Sequence, residues 1–314
     1  MISVVTPVFN EEDILPEFHR RLTLVLKSLG EPYEIILVND GSRDNSFRLM
    51  KDMNGRDSRV KVVNLSRNFG HQTAITAGLD YAAGDAVAIM DSDLQDPPEA
   101  LPGFFEKCKD GYDVVYAIRR NRKEGALKKA AYASFYKLLK MVANIEIPVD
   151  SGDFCVLSRR ALDTLKSMPE RNRFLRGLRG WIGLKQTGLE YDRDKRYAGE
   201  VKYTFGKLIR LAFDGFISFS YVPLRLASFI GLIVSLMSFL GILIIFYLSF
   251  FTSRTISVPG WASMTVTVLF LGGVQLVCIG IIGEYIGRIY DEVKQRPLYI
   301  IQDTLGFESA ESRS

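Results

Sequence analysis

Residues 86–98 read AVAIMDSDLQDPP. An apolar run, Ala86 to Met90, gives way to three acids and one amide in six residues, and two prolines follow. A short continuous apolar run bounded by turn residues is the pattern of a strand buried on both faces. Asp96 before Pro97 and Pro98 is a plausible helix start. The stretch therefore reads as strand, acidic loop and helix, and the question is whether its neighbours repeat that unit.

They do. ISVVTPV, YEIILVN, VKVVNL and DVVYA are further strands within the first 117 residues. Helical patterns lie between them near Glu12 to Leu29, Asp44 to Met53, Gln72 to Ala82 and Pro98 to Lys109. Buried strands alternating with helices predict an α/β fold with a mostly parallel, Rossmann-like sheet covered on both faces. Ligands of such sheets bind outside the carboxyl ends of the strands. The loops NEED, NDGSRDN, SRNFGH and DSDLQD would converge there.

Two carboxylates at i and i+2, Asp91 and Asp93, with the Gln95 amide at i+4, can present hard oxygen ligands from one loop. Mg²⁺ or Mn²⁺ held by one or two carboxylates completes its shell with waters and substrate phosphates. The acidic loop is thus a candidate site for a divalent cation that in turn holds a diphosphate. Its local alternative is a capping acid on a solvated turn. Asp40, in VNDGS at the end of the second strand, faces the same crevice. A lone DGS is an ordinary turn, but paired with DSD two strands later it marks a shared site. There is no GxGxxG after the first strand, no GxxxxGK[ST] and no GxSxG. Dinucleotide oxidoreductase, P-loop and α/β-hydrolase chemistry lack their anchors.

The remaining chain carries a different signal. No charged residue occurs between Arg225 and Arg254 or between Arg254 and Glu284. A helix crossing ~30 Å of hydrocarbon needs about 20 apolar residues. Two membrane helices are expected, at about 226–251 and 262–284. Lys207, Arg210 and Arg225 precede the first, Arg288, Lys294 and Arg296 follow the second, and the loop between them carries one Arg. The positive-inside rule then puts both termini in the cytoplasm, in a multi-pass membrane protein. No signal-peptide pattern opens the chain. The division expected is a catalytic domain over 1–205, an interfacial segment over 206–225, the membrane helices within 226–287 and a cytoplasmic tail over 288–314. A basic stretch, RRNRKEGALKK, runs into a helix with Leu127, Ala131, Phe135, Leu138 and Val142 on one face. That helix suits a membrane surface or the sheet equally. Three cysteines without metal spacing read as reduced thiols. The net charge of +4 fits anionic headgroups better than nucleic acid, and no nucleic-acid partner is expected.

VVTPVFNEED, YEIILVNDGSRDNS, LSRNFGHQTAITAGLDYAAGD, IMDSDLQDPPE, SGDFCVLSRRA and GEVKYTFGKL together resemble the inverting GT-A glycosyltransferases of family 2. They are most similar to the branch that charges polyprenyl phosphates, which includes dolichyl-phosphate mannosyltransferases and the bactoprenyl-phosphate glucosyltransferases of O-antigen modification. The resemblance implies that Pro7, Asn10, Glu11 and Asp40 hold the nucleoside of the donor. It makes Asp91 and Asp93 the DxD acids, which form the metal site with Gln95, and it puts Lys202 near the donor phosphates. Arg119, with Arg122, Lys128 or Lys129, falls where the family binds the acceptor phosphate. Asp153 matches a candidate catalytic acid, although an anionic phosphate nucleophile hardly requires a base. The implied reaction moves a hexose, with UDP-glucose the first expectation, to undecaprenyl phosphate for cell-envelope glycan modification. A homo-oligomer within membrane lipid, a separate flippase and a downstream glycosyltransferase are the implied partners. A processive polysaccharide synthase of the same fold would carry QxxRW and more spans, which are not visible. A non-catalytic membrane scaffold is the reading outside enzymology.

Overall fold

The computed structural model describes residues 1–120, 151–171, 173–192, 222–251 and 260–307. The chain divides into two units, one of 1–207 with 296–314 and one of 208–295. In the first unit, β1 (Ile2–Val8), β2 (Tyr33–Asn39), β3 (Val60–Leu65) and β4 (Ala86–Ile89) alternate with α1 (Leu15–Ser28), α2 (Ser46–Arg56) and α3 (His71–Tyr81). A 3-10 turn (Pro98–Ala100), α4 (Leu101–Lys109), β5 (Val114–Arg120), β6 (Ser151–Ser158), α5 (Arg159–Lys166), α6 (Leu175–Trp181) and β7 (Gln186–Asp192) follow. The second unit holds α7 (Val222–Phe251) and α8 (Gly260–Lys294), after which β8 (Ile301–Leu305) returns to the first.

The sheet order is β7-β5-β6-β4-β1-β2-β3-β8. β1 pairs in parallel with β2 and β4, and β2 with β3, as alternating strands and helices demand. Every residue of β1 and β2 is buried, and the two faces take alternate side chains. Val4, Val8, Ile35, Leu37, Val60 and Val62 pack with Phe18, Leu22 and Leu26 of α1, Met50 of α2 and Phe104 of α4. On the opposite face α3 comes so close that a Cβ at Gly78 would lie 2.3 Å from Val5 Cγ1 and 2.9 Å from Val38 Cγ2.

The antiparallel part of the sheet sets up the site. β6 runs against both β4 and β5, with Cys155 opposite Ile89. Two residues further, in opposite chain directions, Asp91 and Asp153 arrive at the same end of the sheet. β6, β7, β8, α5 and α6 have no counterpart in the sequence expectations. Within the stretch expected as a C-terminal tail, 288–314, α8 runs to Lys294 and β8 then pairs antiparallel with β3. The physical reason is the open edge of β3, whose backbone groups need partners. Side chains reinforce the return. Asn64 donates to Asp303 at 3.2 Å, Tyr299 donates to Asp80 at 2.7 Å, and the Phe307 ring lies 4.8 Å from that of Tyr81.

In the second unit, Phe270–Lys294 is the one described segment long and apolar enough to cross a membrane, with a mean hydropathy of 1.6 over its most apolar window. Within α7 the corresponding described stretch is the shorter Ala227–Gly241. Leu232, Leu236 and Met237 of α7, and Leu276 and Val277 of α8, are exposed. The expected interfacial segment falls outside the described residues from 206 to 221, as does the basic helix expected after residue 120.

Candidate functional site

The loops after β1 and β2 are stitched together at the carboxyl end of the sheet. Asn10 has a positive φ of 56°, which asparagine tolerates better than most residues. Its side-chain oxygen accepts the Arg43 N–H at 2.8 Å, and its own N–H reaches Ser42 Oγ at 3.1 Å. The Glu11 N–H donates to Ser46 Oγ at 2.9 Å. The Pro7 carbonyl accepts the Ser92 hydroxyl at 3.3 Å, joining β1 to the acidic loop. Asp40 is buried, and its two oxygens accept the Phe69 and Gly70 N–H groups at 2.7 and 3.0 Å. Burial raises its pKa, with those two N–H groups opposing the rise. Pro7, Asn10, Glu11 and Asp40 are thus gathered at adjoining strand ends, and Asp40 also fixes the loop that opens α3.

In the acidic loop, Leu94 adopts a φ of 57° and Asp93 Oδ1 accepts the Gln95 N–H at 3.1 Å. This tight turn puts Asp91, Asp93 and Gln95 on one short arc. Asp96 neither caps the following helix nor faces solvent, because its carboxylate accepts the Tyr191 hydroxyl of β7. Asp91 is the acid with chemistry to spare. Its Oδ1 is buried without a hydrogen-bond partner, and burial pushes its pKa up to about 6 against the pull of His71. His71 Nε2 stands 3.5 Å from that oxygen, short of a hydrogen bond, and a bound cation would supply the remaining compensation. No grouping of three or more His, Cys, Asp or Glu suited to a metal occurs among the described residues. The carboxylates of Asp91 and Asp93 and the amide of Gln95 are the oxygen donors that Mg²⁺ or Mn²⁺ takes when waters and a phosphate-bearing ligand complete its shell.

His71, the first residue of α3, bridges two acids. Its Nε2 lies 3.5 Å from Asp91 Oδ1 and 3.4 Å from Asp153 Oδ2. Burial opposes its charge, but the hydrogen bond to Asp153 and the two carboxylates outweigh it and hold the imidazole pKa above its usual value. Beyond Asp153, the Arg176 guanidinium donates from Nε to Oδ1 at 2.8 Å and from Nη2 to Oδ2 at 3.0 Å. Burial would raise the Asp153 pKa, yet His71 and Arg176 hold it well below the usual carboxylate range. The result is a row of alternating charge, Asp91, His71, Asp153 and Arg176, drawn from the loop after β4 and from α3, β6 and α6.

Sequence reasoning placed the SRNFGH loop at this end of the sheet but gave His71 no role, and it missed Arg176. The signal for His71 was its place at a helix start below an acidic loop. Arg176 had none, since only the fold brings α6 to β6. Arg119 sits on β5 opposite Tyr191 in the parallel register with β7. Arg122, Lys128, Lys129 and Lys202 lie outside the described residues.

Acidic loops at the carboxyl ends of a mostly parallel sheet, with one buried carboxylate oxygen that makes no hydrogen bond, are an arrangement suited to a cation and an anionic ligand in an α/β enzyme. Residues 3–166 match glycosyl transferase family 2, and the chain belongs to that family as a glycosyltransferase of GT-A fold. It is 49% identical over 308 residues to the uncharacterized glycosyltransferase YkcC of Bacillus subtilis, covering 98% of this chain and 95% of that one. It is 45% identical over 312 residues to the uncharacterized glycosyltransferase sll0501 of Synechocystis, covering 98% and 96%. To the bactoprenol glucosyl transferase of Shigella phage SfII it is 43% identical over 303 residues, covering 96% and 97%.

Proposed function

We propose that this chain is an inverting, metal-dependent hexosyltransferase that moves glucose from UDP-glucose to undecaprenyl phosphate at the cytoplasmic face of a bacterial inner membrane. The product would serve cell-envelope glycan modification, with a separate flippase and a second glycosyltransferase downstream. The observation that carries this reading is the near full-length similarity to a bactoprenol glucosyl transferase, combined with an acidic loop whose buried Asp91 oxygen makes no hydrogen bond within the chain.

Asp91, Asp93 and Gln95 would hold Mg²⁺ or Mn²⁺, which when bound neutralises charge on the donor diphosphate. Pro7, Asn10, Glu11 and Asp40 would seat the nucleoside, and Lys202 would offset charge on the departing UDP. Arg119, Arg122, Lys128 and Lys129 would hold the lipid phosphate beside the donor despite their mutual repulsion. A phosphate oxygen then attacks the anomeric carbon opposite UDP, a new C–O bond forms, and UDP leaves with the electron pair of the broken bond. This in-line displacement inverts configuration. The nucleophile is already anionic, so Asp153 has no proton to remove, and positioning and electrostatics supply the acceleration.

The division into a catalytic domain, an interfacial segment and two membrane helices belongs to the same reading. β8 supports it: the chain leaves the first unit before α7 and rejoins that unit's sheet after α8, so any crossings are even in number. Gly272, Gly273, Gly280 and Gly283 on α8 have no neighbour within 4 Å of where a Cβ would stand, leaving room for close helix contact in a homo-oligomer.

The test is to incubate detergent-purified protein with undecaprenyl phosphate, Mg²⁺ or Mn²⁺ and a panel of radiolabelled nucleotide sugars, counting label in the organic phase. Metal-dependent label from UDP-glucose is the expected result. A folded preparation that labels lipid from no donor would overturn the proposal.

A further inference from the structure

The short helix α6 touches Asp153 in two ways. Arg176 grips its carboxylate with a two-pronged guanidinium fork. One helical turn later Arg179, buried to 4% exposure, donates to the backbone carbonyl oxygens of Gly152 at 3.0 Å and Asp153 at 3.5 Å. One arginine holds the side chain and the other holds the main chain beneath it. The helix is itself tied down at both ends. The Leu175 N–H donates to Gln72 Oε1 at 3.1 Å, next to His71, and the Arg179 carbonyl accepts the Gln186 side-chain amide of β7.

A buried arginine that spends its donors on the carbonyls of one strand end is costly unless that strand end has to stay put. A two-pronged arginine–carboxylate pair also fixes orientation as well as charge, which a lysine or a single hydrogen bond would not do. Asp153 has little freedom left. Oδ1 and Oδ2 both lie in the fork, Oδ2 faces His71 as well, and the side chain is 10% exposed. A carboxylate held this way is an anion of fixed position, set one imidazole away from Asp91.

We propose that Arg176 is a positioning residue for sugar transfer, acting through Asp153: its fork fixes the Asp153 carboxylate and aims it at His71, which holds the spacing between Asp153 and the acidic loop. The inference rests on the transferase reading above. Arg176 itself touches neither donor nor acceptor in this role, so its loss is felt in turnover rather than in donor binding. Arg176 is also the safer of the two arginines to change, because its side chain is 29% exposed whereas Arg179 is buried.

The experiment is a double-mutant cycle on the full-length, detergent-purified protein, using Arg176→Ala, Arg176→Lys, Asp153→Asn and the Arg176→Ala/Asp153→Asn pair. Each is assayed for kcat and for donor KM, and its fold is checked by thermal melting. Arg176→Ala is expected to lower kcat by roughly 10- to 100-fold, since a small misplacement of a reacting constellation costs that much, with donor KM changing less than about 3-fold. Arg176→Lys should restore part of the rate, because charge returns without the fork. The pair should be no slower than Asp153→Asn alone, the non-additivity expected of residues acting as one unit. Three outcomes overturn the proposal: Arg176→Ala with kcat within about 2-fold of the parent, a loss confined to donor KM, or two losses that multiply in the pair. If the parent chain transfers sugar to a different acceptor, the cycle is read on that acceptor, and only the acceptor assignment fails. A folded parent that transfers to no acceptor overturns both readings at once, and does so before any variant is measured.

Discussion

The Asp91 carboxylate follows a buried strand, with one oxygen that makes no hydrogen bond and a pKa pushed up to about 6 by burial. An aspartate in the unfolded chain titrates near 3.9. The folded chain therefore holds this proton more tightly than the unfolded one, and stability falls as pH rises from about 4 through 6. Above that range the charged carboxylate opposes folding in full. Asp91→Asn removes the titration, so in metal-free buffer the variant should melt above the parent at pH 7.5, with the gap closing toward pH 4. A variant that melts lower at pH 7.5 would mean that the His71 contact outweighs the burial. Added Mn²⁺ should raise the melting temperature of the parent by satisfying that oxygen. Asp93→Asn tests the same loop from the other carboxylate. We expect the folded variant to lose sugar transfer by at least about 100-fold and to lose most of its Mn²⁺ stabilisation. Normal turnover would remove Asp93 from the metal site.

At the scale of elements, the fold hangs on how near a helix can come to the sheet. Gly78 is the point of contact, with no room for a methyl group against Val5 and Val38. Overpacking such a site costs about 1–3 kcal/mol. Gly78→Ala should therefore lower the melting temperature by roughly 2–12 °C, at about 2–4 °C per kcal/mol for a domain of this size. A melt within a degree of the parent would show that α3 can shift outward freely. The first four strands and their helices were legible because each strand is a continuous apolar run and each helix repeats its apolar face. YEIILVN and VKVVNL match β2 and β3 residue for residue. β8 was not legible, since Ile301 and Leu305 flank three exposed residues and no alternation survives between them. In the site, Asp40, Asp91 and Asp93 showed in the sequence because acids after an apolar run are conspicuous. The His71–Asp153–Arg176 row did not, because its members come from three elements far apart in the chain and only the antiparallel insertion of β6 brings them together.

For the whole molecule, the return of the chain to its own sheet constrains the membrane topology more directly than the flanking charges do. The strands β1 to β7 and the strand Ile301–Leu305 share one sheet, so they lie on one side of any bilayer that α7 and α8 enter. One crossing would put β8 on the far side from β3, leaving two unpaired edges and breaking the Asn64–Asp303 and Tyr299–Asp80 hydrogen bonds. A single span is thus incompatible with the fold even though Phe270–Lys294 is the one described segment that meets the length and hydropathy for a span. Two crossings satisfy both the sheet and the uncharged stretch from Leu226 to Ser253, which takes in all of α7 beyond its first four residues. Alkaline phosphatase, active only outside the cytoplasm, should then be active when inserted near Ser257 and inactive when fused after Ser314. A green fluorescent reporter that folds only in the cytoplasm should give the reverse pattern. Phosphatase activity after Ser314 would require β8 to leave the sheet. Inactivity at both places would mean that α7 and α8 do not cross, and the exposed leucines and valines along them would then have to be covered by lipid at one surface or by another chain.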